Sequence, residues 1–391
     1  MVPQGAVMGD FKLYSKNFVL ICVSGFLYFG SFYFLLPTIP QFVQNIGGSA
    51  GQIGAVVGFF TLTSVILRPY FGKLADGYGR KKFLLAGSGV FSLLFVLYAH
   101  AGGISHLYVI RLFHGVAHGC YLAAAYAYVA DLAPIQRRGE VMGVYGVANV
   151  FAMALFPAWG SRIITTTHDF NYLFTLSAIT AALSFLALVM IDDSKPDAHG
   201  GQKKGIFEAG LKPPVLAASV TFFSASTVYG TVITFLPVYA PEKGMADFGI
   251  FFTVYAVFTL LSRVAAGKLS DIYGRRKVVL PFLCVLAVAT FCLPFLSNLY
   301  MLAFIGALFG LGFGAFMPAL TAYVVDKTEP QERAGALAFF TSFMDVGITT
   351  GAIVLGIIGG WLGFEVMYGF AGVILSCGIV FFAFFTGRQS R

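Results

Sequence analysis

Charge is what this sequence has least of. Only 11% of its 391 residues are Asp, Glu, Lys or Arg, against about a quarter in a soluble globular domain. A surface so poor in charge excludes an ordinary soluble protein. The apolar runs are about twenty residues long and do not alternate apolar with polar, which excludes a membrane β-barrel. Cysteine is sparse as well. Cys22, Cys120, Cys284, Cys292 and Cys377 all lie in apolar stretches, have no metal-ligand spacing, and read as small hydrophobic residues of helices. No hydrolase nucleophile motif or metal-ligand run stands out. The phrase GKLADGYGRKK, Gly72 to Lys82, has glycines and lysines but lacks the G-K-[ST] spacing of an ATP site. Any work this chain does across a membrane is therefore expected to draw on an ion gradient.

What is abundant is apolar. Hydrophobic residues make up 58% of the chain, with 43 Phe and 46 Gly, and the mean hydropathy is +0.83. Phe suits lipid-facing surfaces, and Gly suits helices that approach closely inside a bilayer. The pattern is that of an all-α polytopic membrane protein. Its twelve spans are 17–43, 51–75, 83–101, 104–131, 139–163, 169–191, 213–240, 246–270, 278–297, 299–326, 335–361 and 364–386. Each can cross about 30 Å of hydrocarbon. A cleavable signal peptide is not expected, because Asp10, Lys12 and Lys16 precede a first apolar run too long for a signal h-region.

The net charge is +8, which on a soluble protein would suggest nucleic acid. Its distribution says otherwise. Twenty of the twenty-five Lys and Arg fall in the two termini and the loops on one side of the twelve spans, among them Lys73, Arg80, Lys81, Lys82, Arg137, Arg138, Lys268, Arg275, Arg276 and Lys277. Arg162 and Lys243 fall on the other side, and Arg68, Arg111 and Arg263 lie inside spans. The positive-inside rule then puts both termini in the cytoplasm of an inner-membrane protein, with no nucleic acid to explain. The long polar stretch from Asp192 to Gly210 divides the spans six and six. It reads as a linker, giving an N-terminal bundle 1–191, a cytoplasmic linker 192–212 and a C-terminal bundle 213–391.

The two halves repeat each other. GKLADGYGRKK returns as GKLSDIYGRRK, Gly267 to Lys277, and GSFYFLLP at Gly30 to Pro37 as GTVITFLP at Gly230 to Pro237. From the second span onward the offset is 195, pairing Arg68 with Arg263, Asp76 with Asp271, Gly115 with Gly310, Asp131 with Asp326 and Arg138 with Arg333. Six spans per copy give both copies the same orientation, a parallel repeat about an axis along the membrane normal. At these residues the chain resembles the major facilitator superfamily, whose loop signature reads roughly G-x-L-x-D-x-x-G-R-[KR]-[KR]. Gly72, Leu74, Asp76, Gly79, Arg80, Lys81 and Lys82 match it, and so do Gly267, Leu269, Asp271, Gly274, Arg275, Arg276 and Lys277. RLFHGVAHG, Arg111 to Gly119, is similar to the R-x-x-x-G signature of the twelve-helix drug and proton antiporter branch. The resemblance implies two six-helix bundles that rock about a central site. It also implies a gating motif: Asp76 would meet the start of the eleventh helix near Ala334–Gly335, and Asp271 the start of the fifth near Gly139. Arg138 with Asp131 and Arg333 with Asp326 would complete the clusters, with Gly72 and Gly267 permitting close contact. Such clusters latch the bundles when the transporter opens outward. The bland alternative is that these charges only fix orientation, but orientation needs bases and not the recurring acid.

Ionisable groups inside spans carry the rest of the argument, because each costs about 2.5–3.5 kcal/mol or more to bury. Arg111, His114, His118 and Tyr121 share one helical face, while the repeat places Gly306, Phe309 and Phe313 opposite the first three. The fold therefore does not demand polarity there, and proton coupling or substrate binding is the functional reading. Hydrogen-bonded packing is the alternative. Two histidines at i, i+4 suit zinc, yet no third protein ligand is evident and no metal is expected. Asp345 in FFTSFMDVGITTG is the second candidate, a proton carrier or cation ligand, or else a salt-bridge partner of Arg68, Arg111 or Arg263. Tyr28, Tyr33, Tyr121, Phe223, Tyr229 and Phe235 are candidates for lining an apolar cavity, or are helix packing.

The expected function is proton-coupled export of small amphipathic or drug-like compounds, with a small-molecule substrate, protons and membrane lipid as partners, no cofactor, a monomeric chain and no enzyme activity. The alternative is a transporter, in either direction, of a specific metabolite such as a sugar, siderophore or amino-acid derivative. Exporters of the family typically carry G-P-x-x-G-G late in the fifth helix, where this chain has Phe156-Pro157-Ala158-Trp159-Gly160-Ser161. A non-transporting receptor or scaffold would need neither the histidine face nor Asp345.

Overall fold

The computed structural model describes residues 15–134, 137–193, 206–329 and 332–388. In the first half it has α1 (Lys16–Leu35), α2 (Thr38–Asn45), α3 (Ala50–Tyr78), α4 (Arg80–Tyr98), α5 (Ile104–Asp131), α6 (Arg138–Thr167) and α7 (Phe170–Val189). After the short α8 (Ile206–Gly210) come α9 (Pro213–Glu242), α10 (Gly249–Tyr273), α11 (Arg275–Cys292), α12 (Leu299–Asp326), α13 (Arg333–Leu362) and α14 (Phe364–Arg388). Among the described residues, eleven segments are long and apolar enough to span a bilayer, with α1 and α2 counted as one. Helix α5 is a twelfth of equal length, diluted by its arginine, histidines and tyrosines. Most of the linker, residues 194–205, and the first fourteen residues lie outside the described residues.

The packing follows the repeat. Helix α1 packs on α6 and α7, α3 on α5, and α4 on α5 and α7. The second half reproduces this with α9 on α13 and α14, α10 on α12, and α11 on α12 and α14. These are two six-helix bundles. Close approach explains the duplicated glycines at 115 and 310. A Cβ on Gly115 would lie 2.2 Å from the Phe60 carbonyl oxygen, and one on Gly310 2.4 Å from that of Tyr255. Any larger residue would push α5 off α3, or α12 off α10.

The last glycine of each loop phrase makes the turn. Gly79 has φ +97° and Gly274 φ +89°, a region open to glycine and costly to residues with a Cβ. A single residue thus joins α3 to α4 and α10 to α11. The next residue, Arg80 or Arg275, then opens a helix while still able to reach back one turn.

Across the bundles, α3 meets α13 and α6 meets α10, again a symmetric pair of contacts. The tight contacts sit at the ends remote from the charged loops. A Cβ on Gly54 would be 2.0 Å from the Ala352 carbonyl oxygen, and one on Gly249 3.1 Å from Ala158 Cα. Three hydrogen bonds cross at that end: Gln41 Nε2 donates to the Pro237 carbonyl at 3.1 Å, Gln44 Nε2 to Glu242 Oε1 at 3.0 Å, and Thr253 Oγ1 to the Ala154 carbonyl at 3.4 Å. At the other end Gly72, Gly77, Gly143, Gly146 and Gly267 face open space. The cleft between the bundles therefore opens toward the basic face.

Candidate functional site

The two loop phrases fold into matching charge clusters. Asp76 pairs with Arg80, and Arg80 Nε donates to Asp131 Oδ2 at 3.2 Å. Asp271 pairs with Arg275, and Arg275 Nε donates to Asp326 Oδ2 at 2.9 Å. Lys81 Nζ holds the Val189 carbonyl at the end of α7 at 2.9 Å, and its counterpart Arg276 holds Ala383 of α14 at 3.0 Å. Each cluster ties together helices of its own bundle.

Among the described residues, the expected partners across the bundles are not engaged in this conformation. Asp76 and Asp271 bind their own Arg80 and Arg275 instead of the starts of α13 and α6. Asp131 and Asp326 receive the loop arginines, whereas Arg138 donates to the Ala130 carbonyl at 3.1 Å and Arg333 is exposed. A Cβ on Gly72 or on Gly267 would meet nothing within 4 Å among the described residues. For Asp76 and Asp271 the physical reason is the open basic end, where α13 and α6 stand apart from them; Asp131 and Asp326, which share a bundle with Arg138 and Arg333, are instead taken by the loop arginines.

The histidine face of α5 points into the first bundle. His118 Nδ1 is 3.2 Å from the Tyr28 hydroxyl, and its ring packs among Tyr28, Phe32, Phe60 and Phe91. His114 Nδ1 is 2.9 Å from the Tyr98 hydroxyl, while its Nε2 is buried without a partner. Arg111 donates from Nε to the Val56 carbonyl at 2.9 Å and lies 4.4 Å over the Phe60 ring. Tyr121 stacks on Tyr28 at 3.6 Å. Among the described residues no group of three His, Cys, Asp or Glu is arranged to hold a metal ion.

Asp345 sits elsewhere. Its Oδ2 accepts from Arg68 Nη1 at 3.2 Å, with the aspartate side chain 17% exposed and the arginine 35%. Arg68 is ten residues from the basic end of α3 and Asp345 twelve from that of α13, so the pair lies roughly 15–18 Å deep at 1.5 Å per residue. It joins the two bundles in mid-span. Of the salt-bridge partners open to Asp345 in the sequence, the fold selects Arg68, because α3 and α13 are the helices that meet.

The aromatic candidates separate. Tyr28, Tyr121 and Phe235 are fully buried, packed within bundles rather than along the cleft. Phe223 is half-buried with its carbonyl against Gly347. Tyr33 donates to Asn149 Oδ1 at 3.1 Å, and Tyr229 stacks on Phe313 at 4.6 Å. Tyr126, Tyr255 and Asn149 occupy the same level and escape sequence reasoning, because a tyrosine among many tyrosines carries no periodic signal. Arg68 and Arg263 do carry one, as charges inside spans at the same position of the repeat.

The fold has close counterparts. A bacterial homolog of the human lysosomal transporter Spinster, in an inward-facing and unoccupied conformation, superposes with TM-score 0.82 at 14% identity, covering 96% of this chain and 98% of that one. A mutant form of the nucleoside transporter NupG gives TM-score 0.82 at 12% identity, covering 94% and 99%. In sequence the chain is 24% identical to the staphylopine export protein of Staphylococcus aureus, over 92% of this chain and 93% of that protein. It is also 24% identical to the multidrug resistance protein MdtG of Enterobacter lignolyticus, over 97% and 93%. The model of the Major Facilitator Superfamily matches residues 21–251 and 244–391. A match through both bundles, on a fold the structures share, decides the assignment: the chain belongs to the Major Facilitator Superfamily and is a multi-pass membrane transporter of small molecules, not an enzyme.

Proposed function

We propose that the chain is a proton-coupled exporter of small amphipathic compounds, working by alternating access in the cytoplasmic membrane with both termini in the cytoplasm. Bundles 1–191 and 213–391, joined by the linker 192–212, act as the rocking units. The observation that carries this reading is the Arg68–Asp345 ion pair, one charge from each bundle in mid-span. A proton on Asp345 removes its negative charge and releases Arg68, so protonation acts directly on a contact between the moving parts. His114 and His118 are enclosed by aromatic rings of one bundle, which favours Asp345 over them as proton carrier. The positive-inside rule assigns the basic face to the cytoplasm, and this conformation is then inward-facing. Export is supported by the relatives named for multidrug resistance and staphylopine export. The second of these names favours a specific metabolite as the alternative cargo, and the departure from the export signature at Phe156 and Ser161 bears on the direction of transport.

The test is transport in proteoliposomes with an imposed pH gradient and a panel of dyes and metabolites. Asp345→Asn is expected to abolish gradient-driven accumulation while sparing exchange without a gradient. Accumulation by this variant at the wild-type level would place the proton elsewhere or make another ion the driver.

A further inference from the structure

Arg263 is the counterpart of Arg68 in the repeat, ten residues from the basic end of α10 as Arg68 is from that of α3. Both guanidiniums therefore stand at one depth. Their surroundings differ. Arg68 has Asp345. Arg263, half-buried, has no carboxylate among the described residues, and its one polar contact is Nη2 to Met317 Sδ at 3.8 Å. A thioether is a weak acceptor and carries no charge. A cation kept inside a span against a cost of this size marks a site whose counter-charge arrives from outside.

The neighbours tell what kind of molecule brings it. Arg263 lies on α10, which meets α6 of the other bundle as the helix of Arg68 meets α13, and its guanidinium touches Met317, one turn from Phe313 on α12. Arg263 thus stands where the bundles face each other. Tyr229 and Tyr255 have ring centroids 6.1 Å apart, and Phe313 stacks on Tyr229. Together they form a largely buried aromatic cluster one turn of α12 from Met317, the residue that Arg263 touches. Arg263 is itself only half-buried, so the guanidinium is reachable. The residues Arg68, Asp345 and Arg263 sum to one positive charge.

We propose that Arg263 is the anchor of the transported substrate, which is an amphipathic monocarboxylate: its carboxylate on the guanidinium, its apolar or aromatic body on Tyr229, Tyr255 and Phe313. A single guanidinium offers two parallel N–H donors matched to a carboxylate, and one negative charge cancels the excess at this level. A dianionic phosphate would overshoot it, and a cation would add to it. This inference deepens the exporter reading and rests on it for the direction of movement.

Three probes sharing one fluorophore separate the outcomes: dansylglycine (anionic), dansylamide (neutral) and dansylcadaverine (cationic). Binding is measured by fluorescence on the full chain in nanodiscs, and transport in the same pH-gradient proteoliposomes. Dansylglycine is expected to bind more tightly than the other two. Arg263→Gln should weaken it at least tenfold and leave dansylamide unchanged, which shows that the variant folds. Arg263→Lys should restore most of the loss. Preferential binding of dansylcadaverine, or dansylglycine binding indifferent to Arg263→Gln, would overturn the inference. Gradient-driven movement of dansylcadaverine or dansylamide without dansylglycine would also overturn it, and would leave the exporter reading standing. Tight, Arg263-dependent binding of dansylglycine with no gradient-driven transport of any probe would support the anchor and defeat proton-coupled export.

Discussion

Removal of the Arg68–Asp345 pair should depopulate the conformation seen here. At 3.2 Å, two unit charges attract by about 5 kcal/mol at an effective dielectric constant near 20. Most of that is offset by desolvation, and Arg68 remains 35% exposed. The net coupling expected is about 1–3 kcal/mol, a fivefold to 150-fold change in the conformational equilibrium. The assay is single-molecule energy transfer between dyes on Lys82→Cys and Lys277→Cys, one on the basic end of each bundle, in a chain whose five native cysteines have been replaced. Asp345→Asn and Arg68→Gln should each shift the population away from the form open at the basic face. The double variant should resemble either single one, since both remove the same pair. Asp345→Asn should also make the distribution insensitive to pH, because the proton has lost its site. If the two single effects add to within about 0.5 kcal/mol in the double variant, the pair does not couple the bundles and the mechanism built on it falls.

Three further outcomes are expected. Asp76→Asn should alter stability by less than about 1 kcal/mol, because Asp76 is exposed and only its own arginine holds it; Arg80→Gln, which takes a cationic partner from the half-buried Asp131, should lower the melting temperature clearly more. Tyr98→Phe should cost about 1–3 kcal/mol in thermal unfolding, because His114 then loses its one hydrogen bond in a fully buried setting; an unchanged melt would mean the bond contributes nothing. Gly79→Ala should destabilise more than Gly274→Ala, because both force a positive φ but only the Gly79 Cβ would also meet Asp193 Oδ2, at 2.8 Å. Equal losses, read by detergent unfolding curves, would show that strain in φ is the whole effect.

Much of this molecule is written locally. Span length, the one-sided bases and the duplicated loop phrase are properties of contiguous residues, and a bilayer imposes its constraints on contiguous residues. That is why twelve spans, the two-fold repeat and the family are legible in the amino-acid sequence alone. The glycines of the loop phrase belong to the same class, since a positive φ is a demand the backbone makes on one residue at a time. Partner choice is different. Nothing in the chain near Asp345 says that Arg68, 277 residues away, is its partner rather than Arg111 or Arg263; that is decided by which helices of opposite bundles touch. Tertiary packing turned the polar face of α5 inward among aromatic rings and divided the candidate tyrosines between bundle core and cleft. It also gave the loop arginines to Asp131 and Asp326. The unequal fates of Arg68 and Arg263 come from the same source: the repeat set them at one depth, and only the arrangement of the bundles supplied a carboxylate to one and left the other to a ligand.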